Sequence, residues 1–176
     1  MPLTIELPPI EAQTASNLRR WREVLADPTL AELPHRIETD RHGHIVMSPP
    51  PAFSYSQRQG KILGLLLKLL PEGEAMPECP LSTSDGVKAI DVAWLSAARE
   101  ENIQKPIVLV KAPEICVEII SPSNTSFEIK EREALYFEAG AQEVWTCGLD
   151  GKLGFYVSGQ DLNASRLCPG FPQEIS

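Results

Sequence analysis

The 176-residue chain is 43% hydrophobic and 23% charged, with a formal net charge of −8. Those proportions suit one ordinary globular domain, long enough to bury about 70% of its unfolded surface. The longest apolar stretch, Ile62 to Leu70, is broken by Gly64 and Lys68 and is far too short to span a bilayer; the acidic balance argues against tight non-specific binding of nucleic acid, whose affinity comes from Lys and Arg at phosphates.

Residues 1–15 read as a Pro-rich arm without the basic and then apolar pattern of a secretory signal, so the expected location is the cytoplasm. Asn17 is the expected N-cap of a helix through Asp27, with Leu18, Trp21, Val24 and Leu25 on one face. His35 to Ser48 reads as a β-hairpin: Arg36 to Thr39, a turn at Asp40-Arg41-His42-Gly43, then His44 to Ser48. His35, His42 and His44 lack the partners of a zinc site, and the turn explains the last two. Pro49-Pro50-Pro51 is a rigid connector.

Ser56 to Leu70 is the clearest helix, stopped by Pro71. Strands are expected near Glu74 to Cys79, at Gly86 to Leu95 and at Glu114 to Ile120. Ser121-Pro122-Ser123-Asn124-Thr125 forms a turn into a helix that runs to about Ala139 and closes at Gly140. Glu143 to Leu149 and Lys152 to Val157 make a final hairpin around Asp150-Gly151, and the tail after Gly159 reads as irregular. The order predicts an α/β sandwich with a mixed, partly antiparallel sheet. The division is an N-terminal arm and helix over 1–34, a core over 35–157 and a tail over 158–176. Cys79, Cys116, Cys147 and Cys168 include no CxxC pair and read as reduced thiols.

Two strands carry the chemistry. Ile90-Asp91-Val92-Ala93-Trp94 and Val117-Glu118-Ile119-Ile120 are apolar, β-branched runs, each interrupted by one carboxylate. A strand apolar on both sides is buried, and a buried carboxylate costs several kcal/mol unless it is paired, hydrogen-bonded or metal-bound. Asp91 and Glu118 therefore outline a divalent-metal site.

At four blocks the chain resembles the Uma-type restriction-endonuclease family of the PD-(D/E)XK superfamily. The blocks are Ile45-Val46-Met47-Ser48-Pro49-Pro50-Pro51, Ala89-Ile90-Asp91-Val92-Ala93, Val117-Glu118-Ile119-Ile120-Ser121-Pro122-Ser123, and Ala134-Leu135-Tyr136-Phe137-Glu138-Ala139-Gly140-Ala141-Gln142-Glu143-Val144-Trp145. The resemblance covers roughly 35–157 and implies a restriction-endonuclease-like fold, a mixed central sheet flanked by helices. It implies a Mg²⁺- or Mn²⁺-dependent endonuclease that hydrolyses DNA phosphodiester bonds. Asp91 and Glu118 match the family's metal-binding strand acids; Glu38 matches an acidic position near its N-terminal hairpin and is a candidate third ligand or, equally, a salt-bridge partner.

The superfamily's catalytic lysine stands two residues after the strand acid, where this chain has Ile120. In the resembled family it sits on the next helix, four residues before the tyrosine; here that position is Arg132, before Tyr136. At ~100° per residue, Arg132 shares an arc with Leu135, Tyr136 and Ala139, and Lys130 lies about 160° away. Arg132 is the candidate electrostatic stabiliser and Lys130 its stand-in; a guanidinium can stabilise a phosphate's charge but cannot readily accept a proton. The alternatives from other classes are a binding module that kept the fold, and a hydrolase of a smaller phosphodiester. Among partners the reading expects DNA, no membrane and a homodimer.

Overall fold

Helix α1 (Ile10–Ala26) has Pro9 at its N-cap, eight residues ahead of the expected cap at Asn17. The computed structural model describes residues 6–33, 36–103 and 106–175, and His35 lies outside them. Asn17 caps nothing: it is buried mid-helix, where its Nδ2 donates to Ser82 Oγ (2.9 Å) and to the Thr83 carbonyl (2.8 Å). Its side-chain oxygen accepts from Gln13 (2.9 Å). A residue type favoured at caps is spent here on a buried polar joint. Trp21 and Val24 pack with Val87 and Val108, and a single turn, α2 (Pro28–Ala31), is capped by Asp27.

Strands β1 (Arg36–Thr39) and β2 (Ile45–Ser48) form a two-stranded antiparallel hairpin. Asp40 organises its turn by accepting from the His42 and His44 backbone N–H groups, both at 2.9 Å. After the proline connector come α3 (Phe53–Leu69), β3 (Gly73–Thr83), β4 (Gly86–Ser96), the short α4 (Ala97–Glu100), β5 (Ile115–Ile119), α5 (Ser126–Glu138), β6 (Glu143–Cys147), β7 (Leu153–Val157) and β8 (Gln160–Leu162). Strands β3 to β8 form one sheet in chain order, parallel only between β5 and β6, where α5 makes the crossover. This is the expected mixed sheet with helices on it. Helix α5 starts on a full capping box, Thr125 with Glu128, and ends before Gly140, whose φ of +103° suits a residue without Cβ.

The sheet buries both faces. Ile62 and Leu66 of α3 pack with Val92, Trp94, Val117, Trp145 and Phe155. On the other side Tyr136, flanked by Leu135 and Phe137 of α5, packs with Cys79, Leu81, Ile90, Ala93 and Cys116. Trp94 and Trp145 are core, and all four cysteines are free and buried. The tail is not loose: Cys168, Phe171 and Ile175 complete the α3-side core. It is anchored by buried Glu143, which accepts from Trp145 Nε1 (2.7 Å), Ser165 Oγ (2.7 Å), and the backbone N–H of Arg166 (2.7 Å) and Leu167 (3.0 Å).

Two local features prepare the site. The hairpin is not laddered into the main sheet; it docks on β4 through side chains. Strand β5 pairs β4 only over Val92–Trp94, and the Val87 and Ala89 N–H groups donate to Thr39 Oγ1 (2.9 Å) and Glu38 Oε1 (2.8 Å). Gly86, with φ +83°, closes this joint: a Cβ there would lie 2.3 Å from the Thr39 carbonyl oxygen and 2.4 Å from that of Asp40.

The second feature is a break in alternation. Ile90 and Val92 are two apart on β4 yet pack into opposite cores, as do Ala75 and Cys79, four apart on β3. Between them the β3–β4 register passes from Pro77↔Val92 to Cys79↔Ile90 and omits Glu78 opposite Asp91. Glu78 has φ +50°, a conformation rare for a residue with a Cβ and concentrated at functional sites.

Candidate active site

Asp91 sits at this break, 2% exposed. Its Oδ2 accepts from the Ile119 N–H at 2.6 Å, so the carboxylate of one strand is pinned to the backbone of the next, beside Glu118. Its Oδ1 is paired with Arg36 Nη1. Gln59 of α3 bridges the break, donating to the Asp91 carbonyl (2.9 Å) and to Glu78 Oε1 (2.7 Å).

Glu118 is 4% exposed and points at α5. Tyr136 donates its hydroxyl to Glu118 Oε1 at 2.6 Å, and Arg132 Nε lies 3.7 Å from Oε2. Burial, and then the charge of Asp91, push the Glu118 carboxyl up to about 8, because a desolvated carboxylate beside another resists ionisation.

Glu38 is wholly committed. Arg132 grips it bidentately, Nη2 to Oε2 at 2.6 Å and Nη1 to Oε1 at 3.0 Å, while Oε1 also accepts from Ala89 N–H. Burial opposes its ionisation, but the Arg132 guanidinium holds its carboxyl below the ordinary value. Burial likewise opposes charge on Arg132, and the Glu118 and Glu38 carboxylates more than restore it. Glu38 thus has the salt-bridge role, with Arg132 as the partner.

Helix α5 turns Arg132 inward and Lys130 outward, as its 3.6-residue period predicts. The Arg132 side chain is 17% exposed and turned to the sheet, whereas that of Lys130 is 64% exposed. Lys130 bonds Glu133 at 2.8 Å and lies over the Tyr156 ring, 4.7 Å from its centroid. The structure therefore gathers Glu38, Asp91, Glu118 and Arg132 and leaves Lys130 outside. Glu128, a conceivable i+4 partner of Arg132, serves the helix cap instead.

Three members of the cluster have no role in the sequence reading: Arg36, Tyr55 and Glu78. Arg36 was accessible by the period-2 rule, since it precedes Glu38 by two on one strand and shares its face. Tyr55 and Gln59 are four apart on α3 and so face the same way. Nothing in the alternation of β3 signals that Glu78 turns inward to this group.

The donor set suits a hard divalent cation in chemistry: two buried carboxylates, Asp91 and Glu118, on adjacent rigid strands. Both Glu38 oxygens are on Arg132, and among the described residues no group of three or more His, Cys, Asp or Glu side chains is placed to hold a metal ion.

The mixed α/β sheet with helices on both faces has a restriction-endonuclease-like fold. The Uma2 family, described as "Putative restriction endonuclease", matches residues 21–153; the chain belongs to this family. Among solved structures it is similar to one titled a "putative nuclease belonging to DUF820" from Anabaena variabilis ATCC 29413. That match has 18% identity over 80% of each chain and a TM-score of 0.65, a likeness of fold. No curated protein matches the chain. Among the described residues no helix is long and apolar enough to cross a membrane.

Proposed function

We propose that this protein is a divalent-metal-dependent endonuclease acting on DNA phosphodiester bonds, with Asp91 and Glu118 as the ligands of Mg²⁺ or Mn²⁺. The observation that carries this reading is the 2.6 Å bond from Ile119 N–H to Asp91 Oδ2, which joins the two buried acids into one rigid constellation. The bound cation would supply a Lewis acid at the phosphate and a water of lowered pKa. The chain's own residues do the rest. Tyr136 orients Glu118 by donating its hydroxyl proton to Oε1. Arg132 provides positive potential beside Glu118, though its bond to Glu38 offsets part of that charge. It cannot serve as the proton acceptor that a lysine could become, so a general base must come from elsewhere, and slow turnover is the expected consequence.

The Arg132–Glu38 clamp favours a second reading, a binding module that retains the fold. Mn²⁺ and Mg²⁺ calorimetry on the wild type and on an Asp91→Ala, Glu118→Ala double variant separates them, followed by duplex cleavage with each metal and with chelator. Binding that disappears in the double variant, with metal-dependent cleavage, is the expected result. Heat that persists without the two acids would sink the metal assignment, and metal binding without cleavage of duplex or dinucleotide would favour the binding module. Cutting both strands of a duplex calls for two such sites, and the expected homodimer is checked by sedimentation.

A further inference from the structure

The two arginines of the cluster are held very differently. Arg132 makes a bidentate pair with Glu38 at 2.6 and 3.0 Å. Arg36 has one close partner, Asp91 Oδ1. Its remaining contacts are long: 3.2 Å from Nη1 to Tyr55 OH, 3.5 Å to Glu78 Oε2, and 3.6 Å from Nη2 to Glu38 Oε1. Its Nε is buried and has no hydrogen-bond partner. A buried N–H left unpaired costs free energy that a shifted guanidinium would recover.

We infer that Arg36 is a displaceable counter-ion: it neutralises Asp91 in the metal-free protein, yields that carboxylate to a divalent cation, and moves onto Glu78. The inference rests on the metal-dependent reading above and concerns how the same site is kept until the cation arrives.

Three observations converge on it. Asp91 Oδ2 is fixed by the Ile119 N–H, so Oδ1 is the oxygen with a removable partner. Glu78 lies within reach of the same Nη1, its side chain is 43% exposed, and its backbone sits at the strained break opposite Asp91. A guanidinium moving outward there regains water and a carboxylate together. The charges also balance: counted as carboxylates, Glu38, Asp91, Glu118 and Glu78 against Arg36 and Arg132 leave two negative charges, which one divalent cation cancels. Without the cation, a buried Asp91 stripped of Arg36 would be an uncompensated charge, which is severely unfavourable. Arg36 is on this account a positioning residue, and it sets a threshold for metal binding.

Calorimetric titration with Mn²⁺ tests this on wild type, Arg36→Met, Glu78→Gln and the double variant. Arg36→Met is expected to bind Mn²⁺ about tenfold tighter, a change of about 1.4 kcal/mol, because no cation must first leave. Glu78→Gln is expected to bind more weakly, and that loss is expected to vanish in the Arg36→Met background. A plain charge effect would persist in both backgrounds and would overturn the move onto Glu78. Should Arg36→Met not fold, Arg36→Lys keeps the test, with affinity above wild type expected from the poorer fit of an ammonium to the carboxylate. Equal or weaker affinity on losing Arg36, with wild type binding Mn²⁺, overturns the counter-ion role alone. Absence of binding in wild type and in the Arg36 variant alike overturns the metal-dependent reading, and this inference with it.

Discussion

Replacing Tyr136 with Phe deletes a single oxygen from a fully buried side chain without changing the packing of α5. That oxygen donates to Glu118 at 2.6 Å and accepts from Arg132 Nη1 at 3.3 Å. Arg132 keeps Glu38, so the loss falls mainly on Glu118. A neutral hydrogen bond contributes about 0.5–1.5 kcal/mol net and one to a charged group about 1.5–3 kcal/mol. Which value applies depends on Glu118, whose carboxyl is pushed up to about 8 by burial and by Asp91.

A folded pKa above the unfolded one means that the native state binds the extra proton. The associated stability is complete below the unfolded value and drains away as pH rises through about 8. Removing the hydroxyl raises the folded pKa further, since the bond favours the ionised form. Tyr136→Phe should therefore cost about 1 kcal/mol near pH 6 and about 2–3 kcal/mol near pH 9. Urea denaturation with chelator present, at both pH values and with unchanged slope, measures the difference. An equal cost at the two pH values, or a cost that shrinks as pH rises, would refute the view that the Tyr136 hydroxyl favours the ionised form of Glu118.

Gly86→Ala forces a Cβ against two backbone carbonyl oxygens in a left-handed turn, and neither neighbour is a yielding side chain. A loss of about 2 kcal/mol or more is expected by denaturation, and a loss below about 0.5 kcal/mol would mean that the hairpin shifts freely. Glu143→Ala leaves four donors without their acceptor and should cost about 3 kcal/mol or more. Limited proteolysis should then cut first in the tail beyond residue 158; an unchanged cleavage pattern would show that the tail is held by its apolar residues alone.

The central part of the fold was legible because its signals are strong: carboxylates at Asp91 and Glu118 inside β-branched runs can only be buried liabilities or a site. Arg132 was placed inward by helical periodicity because α5 is regular from cap to cap. The arrangement of Arg36, Gln59 and Glu78 was not legible, since it depends on a ladder break that reverses two strands together, and period-2 reasoning presumes no such break. The same holds for Asn17 and for the tail. A polar residue in a helix and a stretch without periodicity both look external until a distant partner, Ser82 or Glu143, is known to receive them.

The hairpin's attachment has a consequence for the protein's fluctuations. Because β1 meets β4 through the side chains of Arg36, Glu38 and Thr39 and, among the described residues, through no backbone rungs, it is expected to open as a cooperative unit while the six-stranded ladder stays closed. Amide hydrogen exchange would report this directly, with Val87 and Ala89 protected only as long as the hairpin is seated and Val92 to Trp94 protected until global unfolding. Each opening event would carry Arg36 and Glu38 away together, briefly uncovering the Asp91 and Glu118 carboxylates on an otherwise intact sheet.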